Sequence, residues 1–189
     1  MKEHVSIAVF ASGSGSNFQA IQNTIEHGQL NANIELVVTD KPDAYVTKRA
    51  DEKGIPVLAL SPKDFNSKEA YELEILKVLQ DKQVEWLVLA GYMRLIGKTL
   101  LSSYPSKIIN IHPSLLPSFP GKDAIGQAMA HGVKVTGVSV HYVDEGMDTG
   151  TIIMQRAVNV IEGDREKTEQ AIHKVEHEIY SAALQSLLD

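Results

Sequence analysis

The 189 residues, 43% of them hydrophobic and 22% charged, make an ordinary globular composition, long enough for one domain with a substantial core. A net charge of −6 disfavours a broad electrostatic grip on nucleic acid or on an anionic membrane, while leaving room for a local basic pocket. The chain has no cysteine, which excludes disulfides, thiolate nucleophiles and cysteine-ligated metal. No apolar run approaches the roughly 18 residues of a membrane span, and the apolar stretch after Met1 is short for a signal peptide, so a cytoplasmic location is expected.

Val5 to Ala11 reads as a buried strand and is followed by Gly13-Ser14-Gly15-Ser16-Asn17, a turn that opens a helix over about Asn17 to His27. A glycine turn between a strand and a helix places free backbone N–H groups at the positive helix end, which suits an anion such as a phosphate monoester. Two other readings compete. Ser16 and Asn17 also suit helix capping. A dinucleotide fingerprint would find support in Asp40 at the end of the second strand, but its third glycine is Phe18 here.

Ile34 to Thr39 predicts the second strand, Ala44 to Lys53 a helical segment and Ile55 to Leu60 a short third strand. From Lys68 to Lys82, Tyr71, Ile75, Val78 and Leu79 share one helical face. Trp86 to Ala90 is the next strand, and Gly91 to Ile96 follows it at the carboxyl edge, where open α/β sheets bind ligands. There Met93, Leu95 and Ile96 could flank a flat ring, or could simply be the core of a starting helix. Lys107 to His112 predicts a further strand. Asn110 and His112 stand two apart and so project from the same face, a neutral donor beside a titratable imidazole. Pro113 prevents the strand from simply continuing, and the proline-rich SLLPSFPG shows no regular element.

Val135 to Val143 and Thr151 to Val160 are long strand candidates joined by the turn-rich DEGMDTG, which suggests an antiparallel extension. The chain closes on a helix over about Arg165 to Leu188, with Ile172, Val175, Ile179, Ala183 and Leu187 spaced to dock. His173 to His177 reads H-x-x-E-H, a zinc-peptidase pattern, but Val175 lies in the docking stripe and a third ligand is missing, so no metal is expected. His141 on its apolar strand suits a structural histidine supporting the site. Strand alternating with helix, then two long strands, predicts an α/β fold: a mixed, mainly parallel twisted sheet with helices on both faces.

NIHPSLLP (110–117) resembles the signature of the folate-dependent formyltransferases. GSGSN (13–17) is similar to the phosphate turn of the glycinamide ribonucleotide formyltransferases within that family, and HYVDEGMDTG (141–150) to their catalytic aspartate loop. The motifs stand in the family order, and the resemblance spans the chain. It implies one Rossmann-like formyltransferase domain over 1–189, with a phosphate-binding half over about 1–100 and a folate and catalytic half over about 101–189.

The resemblance also implies transfer of a formyl group from 10-formyltetrahydrofolate, as co-substrate, to the amine of 5′-phosphoribosylglycinamide, with small-molecule partners, no nucleic acid or membrane, and a monomer or homodimer. Asn110, His112 and Asp148 would carry catalysis; Gly15, Ser16, Asn17 and Glu176 would hold the ribonucleotide. Folate would meet Lys68, Met93, Arg94, Leu95, Ile96, Asn110, Val143, Asp144, Glu145, Gly146, Met147 and Asp148. Asp123 stands where many family members have histidine and cannot do that residue's donor job. The transfer-RNA-directed relatives normally carry a further C-terminal RNA-binding domain, which an acidic chain ending at Asp189 is not expected to have.

Overall fold

The computed structural model describes residues 4–188; residues 1–3 and 189, the outermost positions of the expected 1–189 domain, lie outside them. Seven strands form one sheet in the order β3-β2-β1-β4-β5-β6-β7. They are β1 (Val5–Phe10), β2 (Ala32–Thr39), β3 (Val57–Ala59), β4 (Trp86–Leu89), β5 (Ile108–His112), β6 (Val135–Tyr142) and β7 (Ile152–Asn159). The first five are parallel, and β6 and β7 add in antiparallel sense.

The strand alternation splits the core in two. Ile7 and Val9 of β1 face one side, where Phe18 and Ile21 of α1 (Ser16–Glu26) join Ile172, Ile179 and Leu184 of α6 (Arg165–Leu188). Ala8 and Phe10 face the other side, against Tyr71, Ile75 and Leu79 of α3 (Lys68–Asp81) and Leu100 of α4 (Lys98–Ser103). Each fully buried Ile or Leu among these contributes roughly 1.5–3 kcal/mol. Helices therefore cover both faces of a mixed, mainly parallel sheet, as the alternating pattern predicts.

The structure adds three short elements: a 3₁₀ turn at Pro62–Asp64, α4, and α5 (Ala124–His131). The SLLPSFPG stretch (114–121) carries no helix or strand, and α5 begins just beyond it at Ala124. Asp123 starts α5 by accepting the N–H of Gly126 from its own left-handed backbone, φ 50°. The remaining helix, α2 (Val46–Glu52), lies beside β2 and β3. Strand order reverses between β1 and β4, which opens a crevice at their carboxyl ends.

Candidate active site

A cavity of about 720 Å³ occupies that crevice and extends along the ends of β5 and β6. One end is floored by the glycine turn. Gly15 has φ +73°, and a Cβ there would lie 2.6 Å from Cγ2 of Val46, so both backbone and packing demand glycine. The carbonyl of Gly13 accepts the N–H of Val46, and that of Ser14 accepts Nε–H of Arg49 at 2.7 Å. In a trans peptide C=O and N–H point opposite ways, so the N–H groups of Ser14 and Gly15 turn away from these partners on α2. Helix α1 starts from Gly15 with no side-chain cap, which corrects the capping alternative for Ser16 and Asn17: both sit inside the first turn. Asn17 is buried in the cavity wall, and its Oδ1 is one of three buried side-chain polar atoms without a partner among the described residues.

The other end holds the titratable cluster. Asn110 and His112 project from β5 into the cavity, and in the antiparallel register Asn110 sits opposite His141. Nε2 of His112 lies 2.9 Å from the Phe119 carbonyl oxygen, which can only accept, so Nε2 carries a proton. Nδ1 then faces Oδ2 of Asp148 at 3.4 Å. The same Oδ2 accepts the N–H of Gly121 at 2.8 Å. His141 donates Nδ1–H to the Tyr142 carbonyl at 2.8 Å, which leaves Nε2 as an acceptor 3.4 Å from the Asn110 amide nitrogen. Burial depresses the His141 pKa and keeps this ring neutral, although the Tyr142 carbonyl and Asp148 push the other way. The supporting role expected for His141 thus coincides with contacts to Asn110 and, at 3.7 Å, to Asp148.

Of the residues the sequence points to for folate, Met93, Arg94, Leu95 and Ile96 line the cavity mouth. Met93 and Leu95 are 65% and 48% exposed, apolar surface open to a flat ligand, whereas Ile96 is packed into the core beneath. Val143, Asp144, Gly146, Met147 and Asp148 line the facing wall, in a loop tied by Asp144 to Thr149 Oγ1 at 2.6 Å. Lys68 and Glu145 lie outside these walls. Lys68 begins α3, with its Cε beside Gly97.

Glu176 of α6 is buried, with Oε2 accepting from Nδ1 of His173 at 2.7 Å, and this carboxylate raises the His173 pKa. His177 lines instead a shallower hollow beside Asn23, Thr24 and Ser181, so the second histidine of the H-x-x-E-H pattern does not join the His173–Glu176 pair. Among the described residues no group of three or more His, Asp or Glu is placed to hold a metal ion. The Asp123 carboxylate is engaged by Arg165 at 2.7 Å, the main cause of its lowered pKa.

Lys41, His173 and Ser12 also line the cavity, and the sequence reading gave them no role there, His173 entering it only through the H-x-x-E-H pattern. Lys41 stands two residues beyond the end of β2, and the rule that ligands sit at strand carboxyl ends could have found it. His173 could have been found as the helical neighbour of Glu176. Ser12 carries no sequence signal.

Residues 5–184 match the Formyl transferase family. The chain is 54% identical over 182 residues to the phosphoribosylglycinamide formyltransferase of Bacillus subtilis (strain 168), covering 96% of this chain and 93% of that protein. The crystal structure of glycinamide ribonucleotide transformylase 1 from Geobacillus kaustophilus superposes with a TM-score of 0.96 at 57% identity, over 98% of this chain and 100% of the other. That of phosphoribosylglycinamide formyltransferase from Bacillus halodurans gives 0.95 at 54% identity, over 97% and 95%.

Proposed function

The chain belongs to the Formyl transferase family, and on that premise we propose that it transfers a formyl group from 10-formyltetrahydrofolate to the amine of 5′-phosphoribosylglycinamide, a step of purine biosynthesis. The observation that carries this reading is the shared cavity, lined both by the glycine turn that opens α1 and by the Asn110, His112 and Asp148 cluster. The products are the N-formyl nucleotide and tetrahydrofolate. Residues 1–189 act as one unit, and phosphorylated and folate substrates fit a cytoplasmic enzyme.

The nucleotide phosphate sits on the N–H groups of Gly15, Ser16 and Asn17, where an anion is stabilised without a neutralising side chain. Glu176 receives the glycinamide amine through a charge-assisted hydrogen bond. The flat pterin lies between Met93, Arg94, Leu95 and Ile96 and the loop from Val143 to Asp148. Lys68 approaches the carboxylate end of the folate from α3, and Glu145 contributes backbone.

The amine nitrogen attacks the formyl carbon, a C–N bond forms, and the carbonyl oxygen becomes an oxyanion. Asn110 has one amide N–H toward His141 and turns the other to that oxygen; the Nδ1 edge of His112 lies beside it. Asp148 holds that edge and passes the amine proton, through solvent, to the folate nitrogen as the old C–N bond breaks.

The test is a spectrophotometric transfer assay with 10-formyl-5,8-dideazafolate and glycinamide ribonucleotide. Amine-dependent deformylation by the wild type is expected. A folded wild-type protein that turns over neither substrate would overturn the assignment.

A further inference from the structure

Ser12 joins β1 to the glycine turn and is 4% exposed. Its N–H donates to the Gly91 carbonyl at 2.9 Å. Its hydroxyl donates to Oδ1 of Asp40 at 2.6 Å and accepts the N–H of Met93 at 2.9 Å. A serine hydroxyl has a single proton, so committing it to a carboxylate leaves a lone pair aimed at Met93. Asp40, 9% exposed at the end of β2, therefore fixes which way the hydroxyl points, and its short bond is charge-assisted. This engagement also accounts for the acidic residue that gave the dinucleotide reading its appeal.

The bonds cross three adjacent strand ends at the point where strand order reverses. They grip the backbone at Gly91, which turns the chain at φ +76°, a conformation glycine adopts without steric cost.

We propose that Ser12 and Asp40 are positioning residues that hold the wall from Met93 to Ile96 in register with the phosphate turn. The inference rests on the formyl-transfer reading above, in which those two segments bind the two substrates. Asp40 acts entirely through Ser12. The reaction needs its two reacting atoms about 3–3.5 Å apart, so a wall that drifts relative to the turn weakens folate binding and misaligns the formyl carbon.

The experiment compares wild type with Ser12→Ala, Asp40→Ala, Asp40→Asn and the Ser12→Ala/Asp40→Ala double variant in the full chain, measuring KM for 10-formyl-5,8-dideazafolate, KM for the nucleotide, kcat and Tm. Ser12→Ala and Asp40→Ala are each expected to raise the folate-analogue KM by about tenfold, the weight of one charge-assisted hydrogen bond. The double variant should be no worse than either single one, since both remove the same link. Asp40→Asn keeps an acceptor oxygen for Ser12 and should stay within about twofold of wild type. A general loss of structure would instead lower Tm and raise both KM values together, without rescue by asparagine.

Unchanged folate KM in the alanine variants, or Asp40→Asn as impaired as Asp40→Ala, overturns the proposal while the transferase reading stands. Should Ser12→Ala not fold, the two Asp40 variants decide alone. A folded but inert wild type overturns the functional reading and this inference with it.

Discussion

Oδ2 of Asp148 lies 3.4 Å from Nδ1 of His112 and also accepts the N–H of Gly121 at 2.8 Å. One oxygen thus ties the imidazole to the segment whose Phe119 carbonyl holds the opposite ring nitrogen at 2.9 Å. The ring is clamped between two loops, by Phe119 from the segment after β5 and by Asp148 from the β6–β7 loop, and its orientation depends on the first staying closed against the aspartate through Gly121. Asp148 itself has φ +56°, a left-handed conformation that costs a non-glycine residue on the order of 1–2 kcal/mol. The fold bears this strain at the point where the carboxylate meets the imidazole.

Asp148→Asn should separate charge from geometry. The amide oxygen can still accept from Gly121, so the loop stays closed and Tm should move by only a few degrees. The negative charge beside Nδ1 and the acceptor for the amine proton are lost, and kcat should fall by about 10²–10⁴-fold. Steady-state transfer rates beside a thermal melt test this, and an Asp148→Asn enzyme with wild-type kcat would remove Asp148 from the proposed proton path.

The stability of the protein should fall on mild acidification because of His141. In the unfolded chain this ring titrates near 6.5, and in the fold burial lowers its pKa. Below about pH 6.5 the unfolded state takes up a proton that the folded state resists, so stability is lost as pH falls toward and through the folded value. His177, also lowered by burial, acts in the same direction. His173 is opposite in sign: Glu176 raises its pKa, so its contribution is full below 6.5 and disappears as pH rises through the raised value. The half-exposed His173 is screened by solvent, and the buried His141 should dominate. Tm should therefore drop between pH 7 and pH 5.5, and drop less in His141→Gln; equal slopes for the two proteins would refute this account.

Much of this was legible because the local signals are strong. The β-branched run at 108–111 marks β5, and the spacing of two places Asn110 and His112 on one face without knowledge of any partner strand. The stripe from Ile172 to Leu187 marks α6, whose observed bounds are those the periodicity predicts. By contrast α4 and α5 are six and eight residues long, too short to show a period. Helix α5 is held by its Asp123 cap and by packing on α6, and a proline- and glycine-rich approach hides it. The contacts of Asp148 with His112 and His141 depend on how the 144–150 loop folds back over β5 and β6. The role of Ser12 depends on which strands are neighbours. Both are products of topology, which no local pattern encodes.

Gly15→Ala should damage nucleotide binding before it damages the fold elsewhere. The new methyl group would need to displace Val46, whose Cα, Cβ and Cγ2 all lie within 3.0 Å of it, while the alanine is strained at φ +73°. Together these should cost about 1–3 kcal/mol of stability. Relief requires the turn to move away from α2, carrying the N–H groups of residues 15–17 out of place. The nucleotide KM should rise at least tenfold with a smaller change in the folate-analogue KM, read by varying each substrate in turn; a larger effect on folate would contradict the placement of the phosphate on this turn.

Tyr180 should prove to be an anchor and not a participant. It stands one helical turn beyond Glu176 on α6, fully buried, and its hydroxyl donates to the Leu89 carbonyl at 2.6 Å, with the Ile109 carbonyl at 3.3 Å. Burial raises its pKa well above the ordinary tyrosine value, so it remains a neutral donor at any working pH. The hydroxyl therefore pins the helix bearing Glu176 to the end of β4 and the adjoining backbone of β5. Tyr180→Phe keeps the ring and removes only that link, leaving a buried carbonyl short of a partner, which should cost about 1–3 kcal/mol. For a protein of this length that corresponds to a Tm lower by about 2–12 °C. Because the ring still fills its place, Glu176 stays near the cavity and the nucleotide KM should change less than threefold. A melt that does not shift would show that the hydroxyl carries no net stabilisation.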